Sequence, residues 1–167
     1  MTVSEVIRTK RAVRQFTDKP LSEEAIRSIL NAGRRAQSSK NTQPWHFIAI
    51  RDRATLQRLA ECGAYAGHLA GAHFAVALVA STADSFDLGQ AAAYMQLVAW
   101  DLGIGSCIAS MWEPEKAKAI LGIPQDLHFD IAISFGYPLP SRERLSAPKP
   151  HGRKPFDEVV FWERWSG

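Results

Sequence analysis

The sequence predicts one α/β or α+β sandwich built around a single sheet. Three observations carry this reading. Segments with apolar residues at helical spacing alternate with about four to five short strand-like runs. One run, 74–80, is apolar without interruption, as a strand buried on both faces is. Another places Leu127, Phe129, Ile131, Ile133 and Phe135 in strict alternation, which predicts a strand with one buried face. At 167 residues and 46% hydrophobic, the chain has the material for one domain with a core, read as a single unit over 1–167.

Taken in order, Thr2 and Glu5 stand at capping-box spacing and open a short helix through about Lys10. The basic cluster Lys10, Arg11, Arg14 follows in an extended or turning segment closed by Pro20. Ser22 caps a second helix, with Glu23 and Glu24 in the first turn where the helix dipole favours anions. Its buried stripe is Ala25, Ile26, Ile29, Leu30 and Gly33. A polar loop, 38–43, ends at Pro44, which restrains Gln43 to extended geometry. A strand over 46–50 and a helix over 53–61 come next, then a loop with a short helix over 63–71. Asp84 or Asp87 caps the most apolar helix of the chain, which runs to Leu102 and ends at a left-handed Gly103. A strand over 106–110 precedes a helix with Pro114 in its first turn and Gly122 at its end. The stretch 139–155 is rich in proline and basic residues. The apolar tail that follows, Val159, Val160, Phe161, Trp162 and Trp165, needs a surface to dock on, its own domain or a second copy.

Composition excludes several classes. A net charge of +3 with no block of like charge does not indicate a nucleic-acid binder. Cys62 and Cys107 lack zinc or CxxC spacing and read as reduced thiols, in keeping with a cytoplasmic protein. The first ten residues are too charged for a signal peptide, and the longest apolar run is too short to span a bilayer. The five histidines show no metal-ligand spacing, so no metal is expected. Cys107 has no base partner in the sequence, and a thiol nucleophile is not expected.

Two features point to ligand chemistry. Ser38, Ser39, Asn41, Thr42 and Gln43 carry donors and acceptors enough to hold a flat, heteroatom-rich molecule. The cations Lys10, Arg11 and Arg14, with the later pair Arg153 and Lys154, suit a phosphomonoester, a dianion with three acceptor oxygens that arginine forks engage well.

These stretches resemble the FMN-dependent nitroreductase family. The run Lys10-Arg11-Ala12-Val13-Arg14-Gln15-Phe16 is similar to its N-terminal signature, and Ser38 to Trp45 to its second. Asp87-x-Gly89-x-Ala91 with Met95, the turn Leu102 to Ser106, Gly136-Tyr137-Pro138 and Arg153 to Val160 follow in the same order. The resemblance implies an α+β sandwich with a mostly antiparallel sheet, in a homodimer whose C-terminal tails, 139–167, are exchanged. It implies FMN at the subunit interface and NADH or NADPH as hydride donor to a quinone, nitroaromatic or similar acceptor. Lys10, Arg11, Ala12 and Arg14 would hold the phosphate and ribityl end, with Arg14 also near the flavin N1/O2 edge. Arg153 and Lys154 would add phosphate contacts. Ser38, Ser39, Asn41 and Gln43 would come from the second subunit, and Ala109 and Ser110 would lie near N5. Ala12 stands where serine is frequent, so one hydroxyl contact is lost. The chain also lacks the helical insertion that covers the site in larger members. Two other outcomes stay open: a flavin enzyme of this fold with other chemistry (flavin fragmentation, dehalogenation, dehydrogenation), or a non-catalytic flavin-binding protein.

Overall fold

The computed structural model describes residues 1–81, 85–140 and 152–165. Helix α1, Val3–Thr9, begins as its sequence dictates: the Thr2 hydroxyl accepts from the Glu5 amide, and the Glu5 carboxylate accepts from the Thr2 amide at 2.8 Å. Ser22 caps α2, Glu23–Arg34, by accepting from the Ala25 amide at 3.2 Å. Asp52 does the same for α3, Arg53–Ala60, through the Thr55 amide at 2.8 Å. Helix α4 spans Ser85–Asp101, and α5 spans Pro114–Leu121 and stops at a left-handed Gly122, φ 66°. Gly103 also takes a left-handed φ of 74° just past α4. Asp87 lies inside the first turn of α4, not at its cap, and Asp84 falls outside the described residues.

The strands are β1 (Trp45–Ile50), β2 (Phe74–Ala80), β3 (Gly105–Ser110) and β4 (His128–Gly136). They form one sheet in the order β1-β2-β4-β3, with every neighbouring pair antiparallel. This is the α+β sandwich expected. All of β2 is buried because both its faces are covered. Phe74, Val76, Leu78 and Ala80 pack with Ile26 and Ile29 of α2 and Leu88 and Met95 of α4. Ala75, Ala77 and Val79 face the other layer, with Leu56 and Leu59 of α3 and Ala117 of α5.

The alternation along β4 does not mark a strand with one buried face. A register shift between Leu78 and Val79 leaves Ile131 opposite Leu78 but Phe129 opposite Val79. The extra residue, Asp130, makes a β-bulge and rotates Phe129 into the α3/α5 layer, while Ile131, Ile133 and Phe135 stay with α2 and α4. Being an inner strand, β4 buries Ala132 and Ser134 on its other face as well.

Residues 10–16 form an arm along β3 and around the end of the sheet. Val13 donates to the Ser106 carbonyl at 3.0 Å, Thr17 donates to that of Tyr137 at 2.8 Å, and Phe16 bridges to Pro138. Two glycines permit the approach. A Cβ on Gly105 would stand 2.6 Å from Val13 Cβ, and one on Gly136 would stand 2.7 Å from the Phe16 ring. Gly136→Ala is therefore expected to cost about 1–3 kcal/mol as an overpacking substitution. Urea unfolding should show a lowered midpoint with an unchanged slope.

Candidate functional site

The arm sorts its residues by face. Val13 and Phe16 are buried beside Ala72, with Trp100 packed against them. Arg11, Ala12 and Arg14 are exposed, and Lys10 is half-buried. The Arg11 guanidinium turns back onto the end of α1, donating to the carbonyls of Arg8 at 3.0 Å and Lys10 at 2.9 Å. Some of its donors are thus spent on the helix terminus rather than offered to a ligand.

Lys10 and Arg14 both lie near Cys107 of the edge strand β3, and Arg153 lies near Lys10. Burial pushes the Lys10 ammonium below its ordinary value; nearby Cys107 opposes the shift, and the Arg153 guanidinium adds to it. Burial pushes the Cys107 thiol up, against the pull of Arg14 and Lys10. That thiol is buried, and its surroundings disfavour the reactive thiolate. Below it, His68 Nδ1 meets the Ser134 hydroxyl at 2.8 Å, and that hydroxyl donates to the Cys107 carbonyl at 3.3 Å. None of the ion pairs among the described residues involves Lys10, Arg14 or Arg153. Lys10 and Arg153 repel one another, and cations so placed suit an anion. Lys154 is exposed beside Arg153. On β3 itself, the Ala109 side chain is buried, while Ser110 is exposed.

The polar loop between α2 and β1 is a tight curl. Asn41 donates to the Ser38 carbonyl and Thr42 to that of Ser39, each at 3.0 Å, and the Gln43 amide donates to the Ser38 hydroxyl at 2.9 Å. Lys40, Asn41 and Gln43 all have positive φ, at 49°, 57° and 47°. Gln43 is therefore left-handed in φ, not extended as its place before Pro44 suggests. The bond to Ser38 turns its amide back into the loop and overrides the local preference. Each such non-glycine residue costs about 1–2 kcal/mol, and strain of this kind gathers at functional loops. The Ser38 hydroxyl is committed as an acceptor inside the loop, which leaves its proton to donate outward.

The structure does not bring the two halves together. The loop enters β1 at Trp45, paired with Ala80 of β2; the arm meets β3 at Ser106, level with Phe135 and so with Phe74. Those positions lie at opposite edges and opposite ends of the sheet. At about 4.8 Å per strand step and about 3.4 Å per residue, they stand roughly 25 Å apart. Much of the tail's described apolar surface also stays open, although Val160 and Phe161 are half-buried. Phe156, Val159, Trp162 and Trp165 are 63%, 55%, 72% and 76% exposed. Phe161 and Trp165 pack on each other, with ring centres 4.3 Å apart.

Several participants are not identifiable from sequence alone. Gln96 donates to the Ser106 hydroxyl at 3.1 Å beneath the arm, and the Trp100 indole donates to Thr9 at 2.9 Å, fixing the end of α1. The Ser39 amide donates to the buried carboxylate of Asp87 at 3.0 Å. The sequence marks Asp87 as a cap candidate, but not its partner in the loop. Among the described residues no helix is long and apolar enough to cross a membrane.

Fold and site together define an α+β domain with one antiparallel sheet, a cationic cluster at one edge and a curled polar loop at the other. The sequence profile of the nitroreductase family matches residues 7–65 and 62–137. A protein of Archaeoglobus fulgidus assigned as an NADH dehydrogenase/NAD(P)H nitroreductase is 33% identical over 154 residues, covering 85% of this chain and 88% of its own. A solved nitroreductase-assigned protein from Desulfovibrio desulfuricans, in complex with FMN, is 28% identical with a TM-score of 0.82, covering 99% of both chains. One from Parabacteroides distasonis, assigned as an NADH dehydrogenase/NAD(P)H nitroreductase, is 25% identical with a TM-score of 0.87, again over 99% of both. The chain belongs to the nitroreductase family.

The buried His68 gives the site edge a pH dependence. Burial pushes its imidazole below the ordinary value, opposed by a backbone contact to Ile108 and assisted by Arg14. The unfolded chain, with a histidine pKa of about 6.5, then binds more protons than the native state as pH falls. Stability from this group is full above about pH 6.5 and is lost as pH falls toward the depressed folded value, by up to about 1.4 kcal/mol per pH unit. Urea unfolding between pH 7 and 5 should therefore show a shallower decline in His68→Gln than in the parent chain.

Proposed function

We propose that this chain is an FMN-dependent oxidoreductase that takes hydride from NADH or NADPH and passes it to a quinone, nitroaromatic or similar acceptor. The observation that carries the reading is the arm that Val13 pins to Ser106 of β3, which leaves Arg14 exposed and Lys10 half-buried there with no ion pair to either, or to Arg153, among the described residues. A phosphomonoester supplies the missing negative charge there. The named relatives support the donor and the cofactor. When bound, FMN supplies a two-electron carrier whose N5 accepts and releases hydride.

The chain's own residues bind, orient and tune. Lys10, Arg14, Arg153 and Lys154 hold the phosphate and ribityl end, with the Ala12 backbone alongside. Arg11, partly engaged with α1, adds charge. Ala109 and Ser110 border the flavin near N5. Arg14 also serves the N1/O2 edge, where its charge favours the reduced state. Ser38, Ser39, Asn41 and Gln43 of a second copy complete the site. The roughly 25 Å between loop and arm within one chain, a span no single mononucleotide bridges, supports this sharing. The exposed tail then seats on that second copy, with residues 139–167 exchanged in a homodimer.

The purified protein should be yellow, with one FMN per chain; a spectrum without flavin bands after FMN reconstitution sinks the reading. Anaerobic addition of NADH or NADPH should bleach it, and reoxidation by a quinone or nitroaromatic should restore the colour. Flavin that stays oxidised under both nucleotides would mark a non-catalytic binder.

Arg14 gives a sharper test. A residue that only grips phosphate leaves the reduction potential unchanged, whereas a cation at N1/O2 favours the reduced cofactor. A charge-assisted hydrogen bond contributes about 1.5–3 kcal/mol. For a two-electron couple about 30 mV is roughly 1.4 kcal/mol, so Arg14→Ala should lower the potential by on the order of 30–60 mV. Arg153→Ala should weaken FMN binding with little shift. Spectroelectrochemistry on flavin-saturated variants decides between the two roles.

A further inference from the structure

Ser38 is flanked by two residues that are both tied to α4. The Ser39 amide donates to Asp87 Oδ2 at 3.0 Å, and Gln90 Nε2 donates to Asp87 Oδ1 at 3.2 Å. Gln37 Nε2 in turn donates to Gln90 Oε1 at 2.7 Å. The chain Gln37, Gln90, Asp87, Ser39 thus closes a clasp around Ser38, whose own hydroxyl holds the Gln43 amide. Three left-handed residues, Lys40, Asn41 and Gln43, lie within the segment that starts at this clasp. Asp87 is 3% exposed and meets the loop from the first turn of α4.

We infer that Asp87 is a positioning residue for the cofactor loop: it touches no ligand, but through the clasp it presets residues 38–43 in the shape that binds flavin. This rests on the reading of the loop as part of the FMN site. A carboxylate suits the role because it is acceptor-only, so one group takes both the Ser39 amide and the Gln90 amide without competing donors. The helix N-terminus also favours its charge. Left to itself, a loop with three strained residues populates other conformations, and a ligand that needs one of them binds more weakly by the populated fraction.

The test compares FMN affinity, by quenching of flavin fluorescence, in the full-length apo-protein and its variants. Folding is checked by circular dichroism, and loop order by amide hydrogen exchange at Ser39. Asp87→Ala should bind FMN at least tenfold more weakly and exchange the Ser39 amide at least tenfold faster. Asp87→Asn should bind within threefold of the parent, because its oxygen still accepts from Ser39 and the amides of Gln90 and Gln37 flip to keep the chain. That rescue separates positioning from a general loss of stability. A folded Asp87→Ala with parent-like affinity overturns the inference, as does an Asp87→Asn variant as weak as Asp87→Ala. Should Asp87→Ala fail to fold, Gln90→Ala severs the clasp one link further out: weakening of threefold or more supports the inference, and less overturns it. The double variant Ser38→Ala, Asn41→Ala tests the reading beneath. Unchanged affinity there removes the loop from the flavin site and this inference with it. Weakening there, with none in Asp87→Ala, overturns the inference alone.

Discussion

The hydrogen bond from Val13 to the Ser106 carbonyl, with the two glycines beside it, is the contact on which the charged half of the site depends. Helix α1 is two turns long and buries only Val6, so alone it gives Lys10 and Arg14 no fixed position. The arm fixes them by burying Val13 and Phe16, which leaves Arg14 outward over the β3 edge. Without a Cβ at Gly105 or Gly136, the arm lies flat against the sheet. Lys10 and Arg153 repel one another there and have no ion pair among the described residues, and a bound dianion would relieve the repulsion. If this edge binds a phosphate, function and local stability pull in opposite directions there.

The same trade recurs at the tail. Burying a large apolar side chain contributes about 1.5–3 kcal/mol, so Phe156, Val159, Trp162 and Trp165 together hold on the order of 6–12 kcal/mol in reserve. Association costs about 4–15 kcal/mol in lost freedom. An exchanged dimer would bury two such tails, about 12–24 kcal/mol in all, enough to outweigh the cost of association. A cofactor held between two chains would add to this, and flavin binding and assembly would then be coupled.

Much of the fold was legible because its signals are local. The Thr2/Glu5 and Ser22 caps, the glycine stops at Gly103 and Gly122, and the uniform apolarity of β2 each act within a few residues, and each appears where expected. The misreadings share one cause. The alternation in β4 was broken by a bulge that only the pairing with β2 reveals, and Gln43 was turned by a bond to Ser38 five residues back. The cationic cluster could be read residue by residue, but its separation from the loop could not, since strand order is a property of the whole chain. The partners of His68 and Asp87 stayed hidden for a similar reason: Ser134 and Ser39 lie 66 and 48 residues away.

The loop shows why such long-range partners matter. Glycine takes positive φ without strain, yet none of the three left-handed positions is glycine. Side chains are needed there, since glycine offers no donor or acceptor beyond the backbone. The strain of Lys40, Asn41 and Gln43 amounts to about 3–6 kcal/mol at about 1–2 kcal/mol each. Against it stand the bonds from Asn41, Thr42, Gln43 and Ser39, together about 4 kcal/mol at about 1 kcal/mol each. These sums nearly cancel. The curl is therefore close to the margin of its own stability, and a single hydrogen bond, from α4 or from a ligand, is enough to decide whether it forms.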